Sequence, residues 1–179
     1  MVEQTPFRFA ISATFTAEPV QPVIEFWGRR LNSEFETRFA PYNQIVQSLL
    51  DPGSEFAANR HGVNVMLARM QDLGDEQRIE ANLHHLIGVL RESPSRMGVP
   101  VIFALCPSTA PLNARIAAHL AAGLDDVPGV QFIGPEQIHR MYPVAEPHSA
   151  EGERLGRVPT RISTSAPSAR PSFDMLALS

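Results

Sequence analysis

The feature that most constrains this chain is an alternation of two hydrophobic patterns along its length. Short apolar or alternating stretches, typical of β-strands, lie at residues 7–12, 35–39, 63–67, 100–106 and 130–133. Amphipathic stretches, with apolar residues three and four positions apart, lie between them and predict helices. Strands that alternate with helices favour a parallel, doubly wound sheet with right-handed crossovers. We therefore predict a three-layer α/β/α fold around a five-stranded parallel sheet.

Composition and charge exclude several classes of protein. A chain of 179 residues with 44% hydrophobic residues can bury the core of one domain. Its net charge of −4 argues against a surface for nucleic acid or an anionic membrane. No apolar run approaches the ~20 residues of a membrane span, and the first residues lack the layout of a secretory signal. A single cysteine, Cys106, excludes an intrachain disulfide and is typical of a reducing compartment. We expect a soluble, cytoplasmic protein.

The last part of the chain differs in composition from the rest. Residues 160–172 are rich in Ser, Pro and Arg and lack a pattern that builds a core. We therefore predict one α/β domain over residues 1–159 and an irregular tail over residues 160–179.

Two helices carry side chains that invite a functional interpretation. In the helix predicted after the first strand, the apolar residues that fall at helical spacing are Val23, Ile24, Trp27 and Leu31. That spacing predicts that Trp27 belongs to the core rather than to a ligand site. In the helix that ends at Pro94, His84 and His85 are adjacent and point roughly 100° apart, so we expect surface residues rather than metal ligands.

Polar residues follow the predicted strands, where ligands of open α/β sheets bind. The loops contain Ser12, Thr14, Thr16, Tyr42, Asn43, Gln44, Arg69, Gln71, Asp72, Cys106, Ser108, Thr109 and Glu136, and a later segment adds His139, Glu146, His148, Glu151 and Glu153. A hydroxyl at the end of the first strand becomes a nucleophile if a histidine takes its proton. Asn43 and backbone N–H groups are candidates for an oxyanion hole. The alternative is that these side chains cap helices and satisfy turns.

Metal and cofactor sites have little support in the sequence. His148, Glu151 and Glu153 lie in a segment that resembles a loop, and no phosphate-binding glycine motif occurs. Cys106 ends a buried strand, where a small buried residue is favoured over a reactive thiol. We predict no metal and no cofactor.

Five ordered stretches are similar to a known family. They are ISATFTAEP at residues 11–19, FAPYNQ at 39–44, LLDPGS at 49–54, VNVML at 63–67 and YPVAEPH at 142–148. Together they resemble the amino-terminal domain of FkbH-like proteins, which also occurs within nonribosomal peptide and polyketide synthetases. The resemblance covers about residues 7–159.

The resemblance implies an SGNH-hydrolase-like fold with strand order 2-1-3-4-5, followed in the family by a HAD-type phosphatase-like domain. In that family the two domains are associated with loading a glyceryl unit onto a carrier-protein thiol. The HAD half carries its aspartate nucleophile and magnesium site in a DxD-type motif, which this chain lacks. The resemblance therefore gives no basis for glyceryl-transfer or phosphatase activity in this chain.

Only some of the family's residues carry over. Thr14 falls near the nucleophile position of the SGNH fold, and Asn43 and Gln44 match the family's Tyr-x-Gln loop. Where relatives carry a histidine after Leu-Gly, this chain has Arg157, which stays protonated and cannot act as a general base.

Three hypotheses follow for function. The first is an interaction module of polyketide or nonribosomal-peptide biosynthesis, with an acyl or peptidyl carrier protein, a synthetase or a HAD-type domain protein as partner. The second is a divergent SGNH-like esterase or acyltransferase, with Ser12 or Thr14 as nucleophile and His148 as base. The third is a structural domain without catalytic activity. The expected ligand-binding residues are Thr16, Tyr42, Asn43, Gln44, Arg69, Asp72 and Ser108.

Overall fold

The predicted strands form one parallel sheet in the computed structural model, which describes residues 5–74, 77–106 and 113–143. The strands are β1 (Phe7–Ala13), β2 (Phe35–Phe39), β3 (Gly62–Arg69), β4 (Val101–Cys106) and β5 (Val130–Ile133). Their order in the sheet is β2-β1-β3-β4-β5, and every neighbouring pair is parallel. The predicted fold class and strand order are confirmed.

The helices connect these strands in the predicted places. They are α1 (Gln21–Leu31), α2 (Ile45–Leu50), α3 (Glu55–Ala58), α4 (Ile79–Glu92), α5 (Asn113–Leu124) and α6 (Pro135–Met141). Short 3-10 helices lie at Glu18–Val20, Met70–Asp72 and Ser93–Ser95. None of the helices in the described ranges has the length and apolar character that crossing a membrane requires.

The larger core lies between one face of the sheet and α2 to α5. Its fully buried side chains include Leu49 of α2, Phe56 of α3, Phe103 of β4, Leu90 of α4 and Leu120 of α5. Burying a side chain of this size contributes about 1.5–3 kcal/mol. The helices that follow β2, β3 and β4 are therefore held by the same apolar face of the sheet.

The smaller core lies on the opposite face and involves α1. Ile11 and Ala13 of β1 are buried there with Phe15, and Val20 and Ile24 pack against them. Helices thus cover both faces of the sheet, as the three-layer prediction requires.

The prediction that Trp27 is buried is wrong. Trp27 is 46% exposed, and Leu31 is 61% exposed. The residue of α1 that is buried is Gly28, where an added Cβ would lie 3.0 Å from the Ser33 carbonyl oxygen and 3.2 Å from the Phe35 ring. Because the backbone of α1 approaches β2 at this glycine, the neighbouring Trp27 is turned away from the sheet by about 100°.

Several predictions concern residues outside the described ranges. They are the division of the chain at residue 159 with its irregular tail, and the roles suggested for Ser108, Thr109, Glu146, His148, Glu151, Glu153 and Arg157.

Candidate functional site

The carboxyl edge of the sheet brings the loops after β1, β2 and β3 together. The Asn43 N–H donates to the Ala13 carbonyl oxygen at 3.0 Å, which ties the β2 loop to the end of β1. The Thr14 N–H donates to the Leu67 carbonyl oxygen at 3.0 Å, which ties the end of β1 to β3. The first three predicted loops therefore form one contiguous surface, as expected for parallel strands.

Ser12 is fully buried and hydrogen-bonded to α2. Its Oγ lies 2.9 Å from the Oγ of Ser48, which is itself 2.7 Å from the Gln44 carbonyl oxygen. Both serine side chains are buried, at 0% and 3% exposure. The Ser12 hydroxyl therefore belongs to an internal hydrogen-bond chain between β1 and the start of α2.

Thr14 is also buried, and its hydroxyl serves β3. The Arg69 N–H donates to Thr14 Oγ1 at 3.0 Å, and the threonine is 1% exposed. A buried N–H without an acceptor lowers the free energy of unfolding, so this hydrogen bond stabilises the contact between the end of β1 and the end of β3. The surroundings of Ser12 and Thr14 fit the alternative in which the loop hydroxyls satisfy backbone and side-chain partners. The proposed base, His148, lies outside the described residues.

Arg69 and Asp72 form a partly buried ion pair at the end of β3. Arg69 Nε donates to Asp72 Oδ2 at 2.7 Å and Nη2 donates to Oδ1 at 3.0 Å, a bidentate arrangement. The guanidinium lies 5.8 Å from the centre of the Phe15 ring. The pair joins the loop after β3 to the loop after β1, and Asp72 already neutralises the arginine charge.

Cys106 ends β4 beside Arg69 in the sheet register. Burial raises the pKa of its thiol to about 12, and the charge of Arg69 offsets only part of that effect. A thiol with this pKa is protonated at neutral pH and is a poor nucleophile. Cys106 is half-buried and packs against the smaller core, and its protonated thiol does not support a role as a reactive nucleophile.

A shallow cavity of about 160 Å³ opens between the loops after β1 and β2. It is lined by Ile11, Ala13, Phe15, Thr16, Ala17, Glu18, Phe39, Ala40 and Tyr42. Thr16 and Tyr42 are the predicted ligand-binding residues that line it. The volume is below the roughly 300–1,000 Å³ of sites for drug-sized ligands, so the cavity can hold only a small group.

Asn43 and Gln44 lie beside this cavity with exposed side chains. Asn43 adopts a left-handed backbone conformation (φ 55°), which asparagine tolerates better than most residues. Its N–H is used by the Ala13 carbonyl, so the N–H is not open to an oxyanion. Any contribution of Asn43 to an oxyanion site therefore comes from its side-chain amide.

Metal ligands are not clustered in the part of the chain that the structure describes. There, no three His, Cys, Asp or Glu side chains are grouped so that they could hold a metal ion. His148, Glu151 and Glu153, for which the sequence gives little support as cation ligands, lie outside that part.

An exposed apolar surface on α1 was not foreseen from the sequence. Phe26, Trp27 and Leu31 are 44%, 46% and 61% exposed. The Phe26 and Trp27 rings are 5.6 Å apart and nearly perpendicular, and the Arg30 guanidinium lies 6.0 Å from the Phe26 ring. We call Phe26, Trp27, Arg30 and Leu31 the α1 surface. The apolar residues of α1 cover more of the helix surface than the face that packs against the sheet, so some of them must remain exposed. Helical periodicity alone does not show which ones, and it therefore misses the exposure of Phe26.

Comparisons with known proteins support the fold. No protein-family model matches the sequence, and no curated protein matches it significantly. The structure is similar to the crystal structure of the N-terminal part of the protein BF1531 from Bacteroides fragilis, which contains a phosphatase domain and is complexed with Mg. The TM-score is 0.69 at 13% identity, over 89% of this chain and 48% of that chain. At this identity the likeness shows the fold alone, and this chain spans about half of the compared one.

Proposed function

We propose that this chain is a protein-interaction domain of polyketide or nonribosomal-peptide biosynthesis that binds an acyl or peptidyl carrier protein through the α1 surface. The observation that carries the proposal is the exposure of Phe26, Trp27 and Leu31 on one helix. Contiguous exposed apolar residues mark interaction sites in folded proteins, and tryptophan is enriched among the residues that dominate binding energy.

The charges beside the α1 surface favour an acidic partner. Arg29 and Arg30 are both exposed in the last turn of α1, and Arg30 lies over the Phe26 ring. The Arg30 guanidinium, which lies 6.0 Å from the Phe26 ring, places a positive charge within the α1 surface, and such a charge attracts and orients an acidic group of a partner. We infer that the carrier protein presents acidic side chains around an apolar contact.

The state of the loop hydroxyls supports a binding role over a catalytic one. Ser12 and Thr14 are buried and hydrogen-bonded within the domain. The resemblance to FkbH-like proteins supports the assignment to synthetase chemistry. A HAD-type domain protein is the other partner that this resemblance implies.

Trp27 makes the proposal directly testable, because it is the chain's only tryptophan and it lies on the proposed contact. The chain is titrated with a phosphopantetheinylated carrier protein that lacks tryptophan, and Trp27 emission is followed. We expect a saturable blue shift as the indole leaves water. Phe26→Ala and Leu31→Ala should each weaken binding about tenfold, which is about 1.4 kcal/mol and typical of a contact near an interface centre.

Leu50→Ala is the matched control, because Leu50 is 45% exposed but lies on α2, on the other side of the sheet. It should leave the affinity unchanged. The proposal fails if Trp27 emission and the amide NMR spectrum do not change at high micromolar carrier protein, or if Leu50→Ala weakens binding as much as Phe26→Ala. The first of these outcomes would favour the purely structural domain.

The cavity between the β1 and β2 loops supports a second candidate, a divergent SGNH-like esterase or acyltransferase for small acyl groups. Thr16, Glu18 and Tyr42 are the polar residues among the apolar ones that line this cavity. Turnover of short acyl esters and acyl thioesters by the wild type, Ser12→Ala, Thr14→Ala and His148→Ala tests it. Equal turnover in all four proteins, or turnover in none, rejects it.

A further inference from the structure

Two histidines from different helices meet on the surface of the larger helical layer. His84 of α4 and His119 of α5 have ring centres 5.1 Å apart, with planes at 81°. Both side chains are exposed, and both line a groove of about 140 Å³ between the two helices. Within the described residues neither ring takes part in a hydrogen bond, so both imidazoles retain their bonding capacity.

The separation of the rings matches what a shared metal ion requires. A zinc–nitrogen bond is about 2.0–2.1 Å, and an imidazole centre lies roughly 1.1 Å beyond its nitrogen, so two imidazoles on a tetrahedral metal have centres roughly 5 Å apart. The observed distance is 5.1 Å. The spacing of the two rings is therefore compatible with one ion held by a nitrogen of each ring.

We propose that His84 and His119 bind one divalent first-row transition-metal ion, such as Zn²⁺, and that the ion joins α4 to α5. Imidazole nitrogen is a preferred ligand of zinc, copper and nickel. Two protein ligands are supplied by the histidines, and water occupies the remaining positions. The site is at the surface, so an ion reaches it without opening the core.

The charged residues of the groove oppose metal binding little. Glu80 and Arg115 also line it and pair with each other across the helices, and each side chain is 71% exposed. An exposed pair of this kind contributes at most about 1 kcal/mol, so it separates readily. Glu80 precedes His84 by one helical turn and Arg115 precedes His119 by one turn, so a carboxylate and a guanidinium flank the two rings and largely cancel each other's charge.

The test uses the full chain without an affinity tag, with Zn²⁺ as the probe and isothermal titration calorimetry as the measurement. We expect one site in the wild type. His84→Ala and His119→Ala should each lower the affinity at least about tenfold, because loss of even an outer partner of a metal ligand lowers it about 10–100-fold. His85→Ala is the matched control, since His85 is exposed on the same helix but points in a different direction.

A second readout keeps the proposal testable if an alanine variant folds poorly. Imidazole NMR signals of the wild type should shift or broaden for His84 and His119 on addition of Zn²⁺, with those of His85 and His61 unchanged. His84→Gln, which keeps a side chain of similar size, should abolish the effect. Equal affinity in the wild type and the two alanine variants, an equal loss in His85→Ala, or NMR changes at other histidines would each overturn the proposal.

Discussion

At the scale of single residues, Thr14 shows how a residue with a catalytic appearance serves the fold. Its N–H donates to Leu67 of β3, and its hydroxyl accepts from the N–H of Arg69 on the same strand. These bonds close the carboxyl end of β1 against β3, where a catalytic loop would otherwise begin. From its position in the sequence, Thr14 is compatible both with a nucleophile and with a structural hydrogen-bond acceptor between β1 and β3. The burial of its hydroxyl in the structure distinguishes the two roles.

Thr14→Val tests that role, because valine has the same shape but no oxygen. We expect the free energy of unfolding to fall by about 1–3 kcal/mol, since the buried Arg69 N–H loses its acceptor. Urea denaturation measures the change. Thr14→Ser retains the acceptor and should lose less; if the two variants are equally stable, the hydrogen bond is not the reason for a threonine here.

Because of Cys106, we expect the free energy of unfolding to fall as the pH rises into the alkaline range. Burial holds its thiol pKa at about 12 in the folded chain, whereas the ordinary value is 9.0. As the pH rises, the thiol therefore loses its proton in the unfolded state before it does so in the folded state. The contribution of this thiol to the free energy of unfolding is fully present below pH ~9 and is lost as the pH rises toward 12. The chain has no lysine, so few other groups titrate in this range.

We expect the free energy of unfolding to fall by up to about 1.4 kcal/mol for each pH unit above ~9 because of this thiol. Urea denaturation at pH 8 and pH 10 measures it. Cys106→Ala should have a smaller pH dependence by that amount, whatever its absolute stability. An identical dependence in the variant and the wild type would mean that the thiol is not protected by burial.

At the scale of elements, a glycine sets the pairing of β1 with β3. Gly62 lies opposite Arg8 in the register and has a φ of 148°. A Cβ at this position would be 1.9 Å from the Arg8 carbonyl oxygen, which is backbone and cannot move aside without breaking the pair. The central pair of the sheet therefore requires a residue without a side chain at the start of β3.

Two glycine-to-alanine substitutions should have opposite effects. Gly62→Ala should destabilise the chain by about 3 kcal/mol or more, because it combines a steric clash with an unfavourable φ. Gly88→Ala, in the exposed face of α4 with no atom within 4 Å of the added Cβ, should stabilise it by about 0.5–1 kcal/mol. Thermal unfolding of both variants checks this, and the same sign of change in both would contradict it.

At the scale of the whole molecule, the sequence predicted the architecture better than the surface chemistry. Strand and helix patterns repeat over local windows, and right-handed crossovers limit how such elements can be arranged. The bond between Ser12 and Ser48 joins residues 36 positions apart, and the contact between His84 and His119 depends on how α4 lies against α5. Periodicity indicates which residues share a face of a helix, but it does not show which face turns inward, so the exposure of Trp27 was not predictable.

The close approach of α1 to β2 at Gly28 has an evolutionary consequence. Since a glycine makes the buried contact, Phe26, Trp27 and Leu31 are each only partly buried, and we expect that most substitutions at these positions preserve the fold. In a library that randomises these three positions, most members should pass a selection for folding, whereas most members of a library at Ile24 and Gly28 should fail it. This part of the molecule can therefore acquire a new binding preference while the sheet beneath it stays the same.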